Sequence, residues 1–253
     1  MATYRPIGAE EPPSGEEHEL EELGVNRYTA PSIAQIFKQL DDLKPLPFDQ
    51  LKRQPADVAG ATREQKALMF GELIADGFLL VEAERKNLIE NFGRTLIEHA
   101  RALGVGDQVM RHSASLTELG RHGDWPRMRQ ELITTQTDVE QAMIDLRDEK
   151  MAHLISLGGW LRALEICAAT VESDYSPKHA AVLVRPELAN YFASELKTLP
   201  PAVEHTPLFE KIRAGVKAIQ PLLNKTPGIL SRADVTTIRS QANQLNNAIR
   251  QGG

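Results

Sequence analysis

Apolar residues recur along most of this chain at spacings of three and four and nowhere in strict alternation, so the pattern predicts helices throughout and no sheet. The C-terminal third is the clearest case. Phe209, Ile212, Val216, Ile219 and Leu223 repeat at 3-4-3-4 spacing, and so do Val235, Ile238, Ala242, Leu245 and Ile249. Between them lie the loop TPGIL and a cap running from Ser231 to Asp234, which predicts an antiparallel helical hairpin over 206–250. Two heptads are too few for an extended coiled coil, so the hairpin belongs to the edge of a bundle or forms a small subdomain of it.

Two segments break this one-stripe pattern. ALMFGELIADGFLLVEA, residues 67–83, and EKMAHLISLGGWLRALEICAATV, residues 149–171, are apolar on every side, as helices at the centre of a bundle are. In the second, a turn of 100° per residue puts Glu149, His153, Leu157, Trp160, Leu164 and Val171 on one face. Met151, Ile155, Gly158, Arg162, Ile166 and Ala169 lie on the other, so Arg162 is expected among aliphatic side chains. A buried guanidinium must find carboxylates. Glu165 is a neighbour on the same helix, and in the first segment Glu72 and Asp76 stand four apart on a face that should be packed. Gly158 and Gly159 each cost about 1 kcal/mol against Ala inside a helix and are kept most readily where another backbone approaches closely. With Gly71 and Gly77 bracketing the acidic pair, the two helices are expected to cross near the glycines. That crossing would gather Glu72, Asp76, Arg162 and Glu165, with His153 about two turns away.

Start and stop signals place the remaining elements. Pro31 opens a helix carrying Ile33, Ile36, Phe37 and Leu40 on one face. Residues 44–60, with several prolines, form an extended linker. Thr62 and Gln65 have the form of a capping box at the head of a run to Gly104, which divides near Asn87 to Gly93. Asp107 is the expected cap of a helix to about His122, ended by Gly123, and Asp124, Trp125 and Pro126 start the next. The cluster Thr134 to Asp138 predicts a break in the long run from Pro126 to Glu172. Short helices follow from Ser176 and from Arg185. The fold class is therefore all-α: a single helical domain over 29–253, a bundle of eight to ten helices on two buried central ones.

Composition narrows the functions more than it names one. With 42% hydrophobic and 25% charged residues the 253-residue chain has a globular, soluble profile, and a net charge of −6 without a Lys/Arg run argues against nucleic acid or an anionic membrane surface as partner. The single cysteine, Cys167, cannot pair within the chain and reads as a small buried hydrophobe. Residues 1–28, with the acidic run at 16–22, read as a flexible acidic tail. They contain no apolar stretch of secretory type, and no later segment is both free of charge and long enough to span a membrane. The expected location is cytoplasmic if Met1 is the native start, and exported if a leader has been removed.

HExxH, GxSxG, P-loop and GxGxxG patterns are absent, as is any Glu followed three residues later by His, so zinc proteases, α/β-hydrolases, nucleotide binders and di-iron bundles lose their usual marks. No cofactor is implied. The histidines at 99, 112, 122, 179 and 205 read as solvated or capping groups, and Trp160 as core. The leading expectation is a non-enzymatic helical scaffold or interaction protein, its partner another protein or a second copy, in which the charged cluster fixes helix register. The alternative is a bundle that binds a small ligand or metal in a pocket formed by Glu72, Asp76, His153, Arg162 and Glu165.

Overall fold

A computed structural model describes residues 43–252. The acidic tail expected over 1–28 and the helix expected from Pro31 lie outside these residues. The described chain forms an all-α bundle without strands, with eight helices of ten residues or more.

At its centre, α2 (Arg63–Glu82) packs along α6 (Glu149–Ser173) in the largest helix–helix interface of the molecule. Nearly every residue of α6 from Met151 to Val171 is buried, as the all-round apolar pattern requires. By length and composition α6 is long and apolar enough to cross a membrane, but in the fold its apolar stretch is wholly buried. On one side stand α3 (Ile89–Leu103), α4 (Gly106–His122) and α5 (Trp125–Asp145), each packed on the one before it, with α3 and α5 also against α2. Across α6 lies the hairpin of α10 (Pro207–Leu223) and α11 (Arg232–Gln251), α11 resting on α6. The shorter α8 (Pro186–Glu195), which follows the one-turn α7 (Pro177–Ala180) and precedes the one-turn α9 (Pro201–Glu204), fills in against α10. A one-turn helix α1 (Phe48–Leu51) leads into the irregular segment that reaches α2.

Local chemistry explains most boundaries. Ser231 opens α11 with a complete capping box shared with Asp234, Asp124 caps α5 and Ser176 caps the turn Pro177–Ala180. Gly104 and Gly123 end α3 and α4 in the left-handed region at φ +84° and +71°.

The differences from the expected pattern are local. The Thr62 hydroxyl does cap α2, accepting from the Gln65 amide at 3.2 Å, but the Gln65 side chain turns away and donates to the Ile249 carbonyl of α11 at 2.8 Å, so the box is half made. Asp107 lies in the first turn of α4, where its charge suits the helix dipole, and Val105 occupies the cap position. The break in the Arg63–Gly104 run falls at Ala83–Arg85, earlier than Asn87 to Gly93, and Gly93 sits inside α3. Thr134 to Asp138 does not break its helix, because tertiary packing overrides their weak propensity and the hydroxyls of Thr134, Thr135 and Thr137 bond back to the carbonyls of Gln130, Glu131 and Ile133 at 3.0, 2.7 and 3.1 Å. The chain turns instead at Leu146–Asp148, where Arg147 takes φ +56°.

Candidate functional site

The glycines set the geometry of the central crossing. A Cβ on Gly71 would stand 1.8 Å from the Ile155 carbonyl oxygen and 2.7 Å from the Gly159 amide nitrogen, and one on Gly158 would stand 2.1 Å from the Leu68 carbonyl oxygen. Backbone thus lies on backbone. Gly77 serves a different contact, its missing Cβ leaving room for the Phe92 ring of α3.

One and two turns along from this contact sits the ion network. Arg162, 1% exposed, donates from Nε to Asp76 Oδ1 at 2.7 Å and from Nη1 to Glu165 Oε2 at 2.7 Å, and its Nη2 donates to the Leu51 carbonyl. Glu165 also accepts from Asn243 Nδ2 and Asn246 Nδ2, each at 2.7 Å, both on α11. Asp76 also accepts from Arg53 Nε at 2.8 Å, and the Nη2 of the same arginine lies 3.0 Å from Glu72 Oε2. The four residues that the helix pattern drew together are therefore joined, three helices and the α1–α2 segment contributing to one cluster.

Burial divides its acids. It opposes the charge of Asp76, but Arg162 and Arg53 outweigh it and hold that carboxyl below its usual range. Glu165 is likewise low, burial being outweighed by Arg162 and by the Asn243 and Asn246 amides. Glu72 goes the other way: burial dominates and pushes it up to about 8, and Arg53 offsets this only in part. At neutral pH Glu72 keeps its proton, and the guanidiniums of Arg53 and Arg162 face the carboxylates of Asp76 and Glu165.

His153 does not join the network. Nine residues before Arg162, it lies two and a half turns away and on the opposite face of α6. Its Nδ1 is hydrogen-bonded to the Tyr191 hydroxyl of α8, and burial lowers its pKa. A void of about 20 Å³ beside it is lined by Lys150, Leu154, Phe192 and Glu195 among others.

Two more residues belong to the cluster that helix periodicity does not mark. His99 of α3 is 3% exposed rather than solvated; its Nε2–H donates to the Ala56 carbonyl at 3.1 Å. Arg250, near the end of α11, donates from Nη2 to the Gln54 carbonyl at 2.7 Å. With Arg53, Pro55, Glu72 and Asp76 they line a space of about 10 Å³, and in it Glu72 Oε1 and His99 Nδ1 have no hydrogen-bond partner among the described residues. Asn246 was legible in part, since it sits beside the α11 stripe three residues after another asparagine.

Among the described residues no group of three or more His, Cys, Asp or Glu side chains is placed to hold a metal ion. Burial pushes the Cys167 thiol up to about 12, which keeps it a protonated core residue. No family model, curated protein or solved structure matches this chain.

Proposed function

We propose that this protein is a non-enzymatic helical scaffold that acts by contact with another protein, and that the central ion network fixes the register of its helices. One observation carries this reading. The Arg162 guanidinium, the strongest candidate for a ligand-binding group, is committed on all three nitrogens to Asp76, Glu165 and the Leu51 carbonyl. Asp76 and Glu165 are further bonded by Arg53, Asn243 and Asn246, and the glycine crossing beside them is packed backbone to backbone.

The alternative, a small ligand or metal held by Glu72, Asp76, His153, Arg162 and Glu165, loses support on room and on geometry. A cavity needs about 10–15 Å³ to admit one water, and the spaces at the network and at His153 are about 10 and 20 Å³. His153 also stands on the far face of α6. Among the described residues the exposed large apolar side chains, Met110, Leu146 and Ile229, lie apart in the chain and form no single docking stripe. Recognition through polar and backbone groups fits such a surface better.

Native mass spectrometry of protein purified without chelator tests the reading. The expected spectrum shows the bare chain or whole multiples of it. A defined small-molecule or metal increment that disappears in Glu72→Gln would replace the scaffold with a ligand-binding bundle.

A further inference from the structure

Residues 52–61 cross the molecule without regular structure, and none of them is buried. What holds this strap resembles the way a protein holds a bound peptide more than the way a core holds a loop. Side chains from three helices grip it: Glu72 and Asp76 of α2 take the Arg53 guanidinium, Arg250 of α11 donates to the Gln54 carbonyl, and His99 of α3 donates to the Ala56 carbonyl. An arginine anchored on a carboxylate with a second carboxyl beside it, and neighbouring carbonyls read by side chains, is a recurrent way of fixing an extended segment.

The strap also fits this groove incompletely. Glu72 and His99, each more than nine-tenths buried, line the space beneath it, and Glu72 Oε1 and His99 Nδ1 have no partner among the described residues. Because His99 Nε2 must carry the proton given to Ala56, the Nδ1 of the neutral ring is an acceptor. Pro55 lines the same space and has no N–H to offer it. An occupant with a backbone N–H at that point would give His99 Nδ1 a donor that the strap does not supply. At its far end Gly60 turns the chain toward α2 at φ +73°, with no heavy atom within 4 Å of where a Cβ would stand.

From these observations we infer that the groove between α2, α3 and the end of α11 is a recognition site for an extended, arginine-bearing peptide, and that residues 52–57 occupy it in cis. This deepens the interaction reading and rests on it. A partner segment must displace the strap, whose tethering gives it a high effective concentration, so the free groove is seldom exposed.

The test uses the full chain and a fluorescein-labelled hexapeptide, Lys-Arg-Gln-Ala-Ala-Asp, in fluorescence anisotropy, with Lys-Ala-Gln-Ala-Ala-Asp as control. Arg53→Ala, which withdraws the strap's anchor, should bind the arginine peptide about tenfold or more tighter than the unaltered chain does. Adding Asp76→Asn should abolish that binding, and the control peptide should bind neither chain. No saturable binding to folded Arg53→Ala, or equal binding of both peptides, overturns the inference. Should Arg53→Ala not fold, hydrogen exchange on the unaltered protein decides: amides of 52–61 opening no faster than those of α2 and α11 would mean that the strap never leaves the groove, whereas selective opening that increases with added arginine peptide supports it. Peptide failure beside a bare-chain native mass removes this inference alone. A small-molecule increment in that mass removes the interaction reading itself.

Discussion

Two of the helix pairs that pack around a glycine, α2–α6 and α10–α11, do so for opposite reasons. Where α2 crosses α6, both helices are apolar on all sides and their backbones touch, so Gly71 and Gly158 each face a carbonyl of the partner helix at about 2 Å from a would-be Cβ. In the α10–α11 hairpin each helix has a single stripe, and the would-be Cβ of Gly215 meets the Leu245 side chain at 2.5–2.9 Å. A backbone cannot yield without moving its helix, but a leucine can change rotamer or lean. The same residue type is thus a structural requirement in one interface and a convenience in the other. The ion network depends on the first, because Arg162, Asp76 and Glu165 meet only if α2 and α6 lie that close.

The largest expected effect follows directly. Gly71→Ala would gain helix propensity of about 1 kcal/mol in isolation, yet the clash with Ile155 and Gly159 backbone should cost more than about 4–5 kcal/mol, a large share of a typical domain's stability. Loss of a cooperative thermal transition by circular dichroism is the anticipated result. A variant that melts within a few degrees of the unaltered protein would mean that the crossing is not backbone to backbone.

Next in size comes Arg162→Ala. It strands Asp76 and Glu165 in a buried setting and frees the Leu51 carbonyl, and should cost about 3–5 kcal/mol in urea unfolding. A loss below about 1 kcal/mol with the fold kept would show that solvent, and not Arg162, balances those acids.

These residues were legible because each breaks a rule of the helix it sits in. Glycines in an apolar run, an arginine among aliphatics and two acids on a packed face are all costly unless something meets them, and the cheapest solution is that they meet one another. Arg53 was not legible for the converse reason. It lies between prolines in a segment without periodicity, where nothing marks which side chain turns inward, and its partners are 19 and 23 residues on. His153 could be placed on its face of α6 but not paired, since Tyr191 arrives on a short helix whose docking no local pattern encodes. Thr134 to Asp138 misled because propensity is a weak prior and long-range packing decided the helix.

Acid–base behaviour gives a third, smaller effect that separates the crossing from the hairpin. Glu72 is pushed up to about 8 and Glu140 to about 7, both chiefly by burial. A carboxyl raised in the folded state holds its proton longer there than in the unfolded chain, so its contribution is complete below the unfolded value of about 4.3 and is lost as pH rises through the folded one. Asp76 and Glu165, held low, act in reverse and lose their contribution only as pH falls below the ordinary carboxylate range. Glu72 and Glu140 should therefore lower the melting temperature as pH rises from 5 to 8, against His99 and His153, which burial holds low and which add stability as pH rises through about 6.5. In Glu72→Gln, with Arg53, Asp76, Arg162, Arg250 and His99 still around the site, the slope should flatten by an amount on the order of 2 kcal/mol across that interval. A slope unchanged by the substitution would mean that Glu72 is ionised throughout.

The smallest effect is the one that completes the comparison. Gly215→Ala puts a methyl group against Leu245, which is 4% exposed and packed but belongs to a side chain with rotamers to spare. Overpacking of this kind costs about 1–3 kcal/mol, and the gain in helix propensity on replacing glycine returns about 1 kcal/mol. The net loss should be about 1 kcal/mol, with an unchanged denaturant slope because the same surface is still buried. Pairing it with Leu245→Ala, which empties the space that the new methyl enters, should make the double variant more stable than the sum of the single losses. No such rescue is available at Gly71, where the neighbour is main chain. If Gly215→Ala proves as damaging as Gly71→Ala, the hairpin is held by backbone proximity too, and the distinction between the two interfaces fails.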